Sequence, residues 1–278
     1  MQAGGSVATG NRRKRRGSRR EVNGAILSLA VLGAGMLVLP ILALLARLDW
    51  AALPRTLVAP ETASALGLSV GTALVATIGC LVLGIPLAVV ISRTHGTVTS
   101  ALRAIVTLPL VLPPLVGGLA LLSLLGRGGL LGDLLLSLGI HIPFTTPAVV
   151  IAQTFVALPF LVLAVEGALR SLDREHIEMA ETLGAGPAII LFQVKLPMIA
   201  PSLIAGTILC FTRALGEFGA TALFAGNAAG TTRTVPLAIY TAFNGAGVTQ
   251  DTALALSLIL IVVAIVSLVL LRGRAVQN

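Results

Sequence analysis

Arg213 and Glu217 are the side chains whose type and spacing most need a chemical explanation in this 278-residue sequence. They stand four apart inside an otherwise apolar run, Ser202–Phe224, so on a helix they share a face. A charge at such depth must turn inward and find a partner, and the two can neutralise each other and fix packing. Glu166 interrupts a second apolar run close to its end, where water or a backbone group can satisfy its carboxylate. Four of the eleven acidic residues, Asp173, Glu175, Glu178 and Glu181, gather in one short stretch. No other constellation forms. His95, His141 and His176 fall in three separate loops, which leaves no Ser/His/Asp arrangement and no catalytic residue. Without a GxxxxGK[ST] loop there is nothing to cradle a nucleotide. Without a CxxC or a His cluster there is no expected metal site or resident cofactor, and Cys80 and Cys210 read as small buried apolar groups.

The elements that carry these residues are membrane helices. Of the sequence 56% is hydrophobic and 11% charged, with a mean hydropathy of +1.00, whereas a soluble domain carries about 25% charged residues. A water-soluble fold is excluded, because so apolar a chain could not keep its surface free of large apolar patches. Six runs reach the roughly 20 residues needed to cross a bilayer as a helix: Ala25–Ala46, Leu66–Ile91, Ala104–Leu125, Pro147–Leu169, Ser202–Phe224 and Ala253–Leu271. The expected fold class is therefore all-α and integral to a membrane, with about six transmembrane helices. Residues 1–24 form a basic, disordered N-terminus, and residues 25–272 form one membrane domain whose main polar loop is 170–201.

Seven of the nineteen Lys and Arg residues lie between Arg12 and Arg20. An apolar span follows within a few residues, so they suit a basic membrane flank better than a nucleic-acid arm. The first run is longer than a signal-peptide core and lacks a small-x-small cleavage site, which fits a retained helix, with Trp50 just beyond it as an interfacial anchor. With six spans both termini share a side. That side and its loops collect fourteen Lys and Arg against four on the other, which places both termini in the cytoplasm of a multi-pass cell-membrane protein. Pro40, Pro86, Pro109, Pro113, Pro114 and Pro159 fall within or beside the spans; such breaks serve packing or line a pathway. Gly129–Ile140 is leucine-rich but too short to span, and is expected to lie on or dip into the outer surface.

The 170–201 loop predicts a short helix over Arg174–Leu183. Asp173 can act as its N-cap and Glu175 favours its positive end. Gly184 ends it, and Gly186-Pro187 prevents continuation. Ile177, Ala180 and Leu183 make an apolar stripe opposite acidic residues. That combination suits a groove on a partner protein better than an anionic lipid surface. Ala188–Leu196 is a second apolar run, closed by Pro197.

Glu178-Met179-Ala180, three residues, Gly184, nine residues and Val194-Lys195-Leu196-Pro197 resemble the loop signature of ABC importer permeases, Glu-Ala-Ala-x3-Gly-x9-Ile-x-Leu-Pro. The departures, Met179 and Val194, stay apolar. Phe211–Thr221 followed by Phe224-Ala225-Gly226-Asn227 is similar to the fifth helix of molybdate and sulfate permeases, and Thr234–Tyr240 is similar to the molybdate branch. The likeness runs from the second span onward. It implies the MetI-like type I importer fold, a homodimer with its path on the two-fold axis, an extracytoplasmic oxyanion-binding protein and a cytoplasmic ATPase dimer that binds ATP and Mg. It further implies that Glu178, Met179, Ala180, Gly184, Leu196 and Pro197 belong to the loop that couples to the ATPase. Arg213 would then either help an anion pass, with Glu217 restraining its field, or simply be paired for packing. Sulfate, thiosulfate and tungstate are alternative cargoes. An ion-gradient-driven transporter of another class would want an unpaired titratable group in the membrane; Glu217 is the one candidate, and Arg213 accompanies it.

Overall fold

A computed structural model describes residues 24–244 and 249–275; the basic run Arg12–Arg20 lies outside the described residues. All regular structure in the described residues is helical. The first compact unit ends at Arg47 and contains α1 (Gly24–Ala46), which is apolar around its whole circumference and carries Pro40 internally. A helix with no polar face belongs in lipid or in a protein core.

The second unit, from Leu48 onward, holds the other elements. Besides short helical segments such as Leu53–Val58, they are α2 (Pro60–Arg93), α3 (Gly96–Val111), α4 (Pro114–Leu125), α5 (Thr146–Ser171), α6 (Arg174–Thr182), α7 (Ala200–Leu215), α8 (Gly219–Phe224), α9 (Val235–Phe243) and α10 (Gln250–Ala275). Four helices are long and apolar enough to cross a membrane, and the number rises to six if each of two bent pairs counts as one span. The leucine-rich segment forms only a single short helix, Gly132–Ser137.

The core lies where α2, α5 and α7 meet. Ala73, Ala76, Cys80 and Ala88 of α2 pack against Ala157, Leu161, Val162 and Val165 of α5 and against Cys210 and Ala214 of α7. Small residues allow that approach. A methyl group added at Gly206 would come within 2.9 Å of the Ala164 Cβ, the close packing that membrane helices use where water supplies no hydrophobic drive between them. Both cysteines are free and buried, as the sequence predicts. Large apolar side chains such as Leu74, Ile78 and Val82 of α2 and Ile265, Leu268 and Val269 of α10 are exposed. A second contact ties α9 to α2: the Val235 N–H donates to Ser69 Oγ at 2.6 Å, beside a cluster of Ala65, Val235, Ala238 and Leu256.

Two predicted spans are not continuous. The run Ala104–Leu125 bends by 114° between α3 and α4. Leu112 and Pro113 adopt extended backbone there, because a proline disfavours helix in the residue before it and Pro113-Pro114 removes two donors in succession. The run Ser202–Phe224 stops at Leu215, and Gly216, Glu217 and Phe218 separate α7 from α8.

Candidate functional site

The two breaks lie against each other. A methyl group at Gly219 would sit 2.6 Å from the Pro114 Cβ, and one at Gly118 would sit 2.8 Å from the Ala220 carbonyl oxygen. Glycine is what lets α4 and α8 nest so closely. Beside this contact are cavities of about 310 Å³ and 160 Å³, both lined by Pro113, Pro114 and Arg213. The larger adds Gly216, Glu217 and Phe218, and the smaller adds Phe155 and Phe160 of α5.

Glu217 organises this site. It is 1% exposed, and one of its oxygens lies 2.9 Å from an Arg213 guanidinium nitrogen. Its other oxygen accepts from the Ala220 N–H at 2.9 Å, which satisfies a donor left free at the start of α8. Arg213 occupies the last turn of α7, where the carbonyl ends favour a cation. Its side chain remains 31% exposed. A guanidinium has five N–H donors in a rigid fork, so the contact with Glu217 does not use them all, and Arg213 lines both cavities. The chemistry this allows is recognition of an oxyanion by a positive group whose charge is largely balanced from behind.

The 170–201 loop is a separate site. The Asp173 carboxylate accepts from the Glu175 N–H at 3.2 Å as the N-cap of α6. The helix closes at Gly184, whose φ is +81°, with Ala185 N–H donating to Ala180 O and Gly184 N–H to Glu181 O. A side chain is strained at that φ, and glycine is not. Pro187–Ile189, a π-helical turn Ile190–Lys195 and Leu196–Met198 follow, and then the chain bends by 77° into α7. Leu196 packs on the α2–α5–α7 core, while Pro197 is exposed. Glu178 faces a cavity of about 460 Å³ with Glu181, Arg93, His95, Arg170 and Lys195. Ala180 is half-buried. Met179 is 57%, Leu183 83% and Phe192 66% exposed. The expected stripe is therefore divided: Ile177 and Ala180 are half-buried, but Leu183 lies beyond the last helical turn and projects outward.

Glu166 corrects an expectation. It is 3% exposed and not solvated. One oxygen accepts from Arg103 Nε at 2.8 Å and from Arg170 Nε at 2.6 Å, and a second Arg103 nitrogen contacts the same atom. Arg170 also donates to the Ile91 carbonyl at 2.8 Å. The Glu166–Arg170 spacing of four was visible in the sequence, whereas Arg103 stands on another helix. His95 and His141 line different cavities.

Comparison with known proteins places this arrangement. The model of the binding-protein-dependent transport system inner membrane component family matches residues 81–276. The chain belongs to this family. Relatives within it include the molybdenum transport system permease protein ModB of Mycobacterium tuberculosis, 47% identical over 84% of this chain and 88% of that protein. The sulfate transport system permease protein CysT of Escherichia coli is 36% identical over 80% of this chain and 83% of that protein. Among solved structures, a chain of a bacterial alginate ABC transporter, crystallised with its alginate pentasaccharide-bound periplasmic protein, superposes with a TM-score of 0.69. It covers 90% of this chain and 91% of that one at 17% identity. A chain of the MetNI methionine ABC transporter in an inward-facing conformation gives a TM-score of 0.55 at 18% identity, covering 76% of this chain and 94% of that one. The MetI-like type I importer fold expected of the permease is the fold it has. Its π-helical turn, its two nested breaks and its shared Glu166 were not foreseen; only consecutive prolines and the Glu166–Arg170 spacing signalled them in advance.

Proposed function

We propose that this permease is the membrane-spanning subunit of an ATP-driven molybdate importer. The observation that carries the cargo assignment is its 47% identity to a molybdenum transport permease over 84% of the chain. The geometry of Arg213 supports an oxyanion path. A divalent tetrahedral anion needs donors in its passage, yet a bare fixed charge would hold it too long. Glu217, 2.9 Å from the guanidinium, moderates the attraction.

Two copies form the path along a two-fold axis, since a single permease type must supply both halves of a closed dimer. Both termini and the 170–201 loop face the cytoplasm, as the distribution of Lys and Arg dictates. An extracytoplasmic protein delivers the anion. A cytoplasmic ATPase dimer, which holds ATP and Mg, seats the loop around Glu178–Gly184, with exposed Met179, Leu183 and Phe192 as apolar anchors. Leu196 and Pro197 join this loop to the bundle. ATP binding then biases the permease between inward- and outward-facing states through differential contacts with the loop.

Sulfate is the second reading, favoured by the 36% identity to a sulfate permease. The test is ATP-dependent uptake in proteoliposomes holding the permease, its ATPase and its binding protein, with labelled molybdate and sulfate compared. Molybdate uptake that needs ATP and weakens in Glu178→Ala supports the proposal. Preferred sulfate uptake would change the cargo, and uptake without the ATPase would overturn the mechanism.

A further inference from the structure

The Glu166 cluster lies between the coupling loop and the first broken span and touches both. On one side Arg170, in the last turn of α5, lines the 460 Å³ cavity together with Glu178 and Glu181 of α6. On the other side Arg103 belongs to α3. Both guanidinium groups bond to one oxygen of the same buried carboxylate, so a single negative charge serves two positive ones. The excess positive charge faces Glu178 and Glu181 across a cavity that Arg93, His95 and Lys195 also line, and Lys195 feels the charge of Glu181. No ion pair among the described residues joins Glu178 or Glu181 to any cation.

We infer that Glu166 is a positioning residue that links movement of the coupling loop to movement of α3. Arg170 holds Glu166 and the Ile91 carbonyl here, and the α6 carboxylates line the same cavity. When the ATPase shifts α6, Arg170 exchanges toward Glu178 and Glu181. Glu166 is then left to Arg103 alone, and the tether between α3 and the α2–α5 pair changes strength. Beside Arg103, this part of α3 is held by Val106 in the core and by Leu102 packed against it, so the Arg103–Glu166 contact is its polar fastening. Arg103 stands ten residues before Pro113, about 15 Å along a helix. A shift at Arg103 therefore reaches the break at Pro113-Pro114, whose cavities Arg213 also lines. The relay runs from α6, across the shared cavity, through the bonded Arg170, Glu166 and Arg103, and along α3 to the break at Pro113-Pro114.

This inference rests on the proposal that an ATPase seats the 170–201 loop. The decisive variant is Arg103→Gln, which leaves Glu166 bonded to Arg170 and so leaves no buried charge unpaired. The experiment uses the full transporter in proteoliposomes and measures molybdate imported per ATP hydrolysed. Spin labels at Ile105 and Leu163, both exposed, report the α3–α5 distance with and without vanadate-trapped nucleotide. The expected result is a fall of about fivefold or more in the ratio, the lower end of typical coupling strengths, together with loss of the nucleotide-dependent distance change. Arg103→Lys, which retains a cation, should recover part of both. An unchanged ratio with an unchanged distance response overturns the relay, and so does a variant that no longer assembles with the ATPase, since the cluster would then only hold the fold. Uptake by the unaltered chain without ATP would instead overturn the importer assignment itself.

Discussion

Replacing Glu217 with Gln should turn the anion passage proposed at Arg213 into a trap. Gln keeps the shape and can still accept from the Ala220 N–H, which now bonds Glu217 at 2.9 Å; only the negative charge goes. A divalent anion about 4 Å from the Arg213 guanidinium is attracted by about 8 kcal/mol at an effective dielectric of about 20, and a carboxylate about 7 Å away returns about 5 kcal/mol of that as repulsion. Arg213 is 31% exposed, so solvent screening reduces the change on neutralising Glu217 to about 2 kcal/mol. That corresponds to roughly thirtyfold longer residence of the anion. The assay is single-cycle and steady-state uptake of labelled molybdate by the reconstituted transporter. Steady-state turnover should fall by about tenfold or more if release of the anion limits the cycle, while anion retained on detergent-solubilised permease rises. The double variant Arg213→Gln/Glu217→Gln tests the alternative that the pair serves packing alone. If packing is the whole role, the neutral pair restores uptake; if Arg213 carries the anion, uptake stays low. Normal turnover and normal retention in Glu217→Gln would refute the reasoning.

Gly219→Ala forces a methyl group to 2.6 Å from the Pro114 Cβ and should cost about 1–3 kcal/mol as overpacking, read as a lower melting temperature in detergent. Gly184→Ala places a side chain at a φ of +81° and should cost about 1 kcal/mol, loosening the end of α6; titration of the purified ATPase against the permease should show weaker binding. Met179→Asp puts a charge on a side chain proposed as an anchor, which is 57% exposed. It should weaken ATPase binding by about tenfold, the effect of losing roughly 1.4 kcal/mol at an interface hot spot, and leave the permease's own melting temperature nearly unchanged.

The spans were legible because a bilayer imposes a length and a composition on any helix that crosses it. The end of α6 was legible for a local reason: Asp173 and Gly184 act on their own neighbours. The breaks were harder. Apolar residues resume at Gly219–Phe224 after Gly216 and Glu217, so the run still has the length of one span, and the contact of Gly219 with Pro114 comes from a different span. Pro113-Pro114 was visible, but a proline in a membrane helix can kink or break it, and the 114° bend is set by what lies opposite. Glu166 shows the same division. Its partner Arg170 is one helical turn away, while Arg103 comes from a helix 63 residues earlier, and only the fold brings that pair together. Arg213 and Glu217 pair as their spacing predicts, but the function of Glu217 as a cap on α8 arises from the break.

The nesting of Gly219 on Pro114 and of Gly118 on Ala220 also constrains how the sequence can vary. Two spans far apart in the chain are interlocked at breaks in their helices, so neither can be remodelled alone. A bulkier residue at either glycine has to be answered by a smaller or repositioned residue in the other span. Among descendants of this permease these four positions should therefore change in pairs or not at all, a record of the contact kept in inheritance rather than in coordinates.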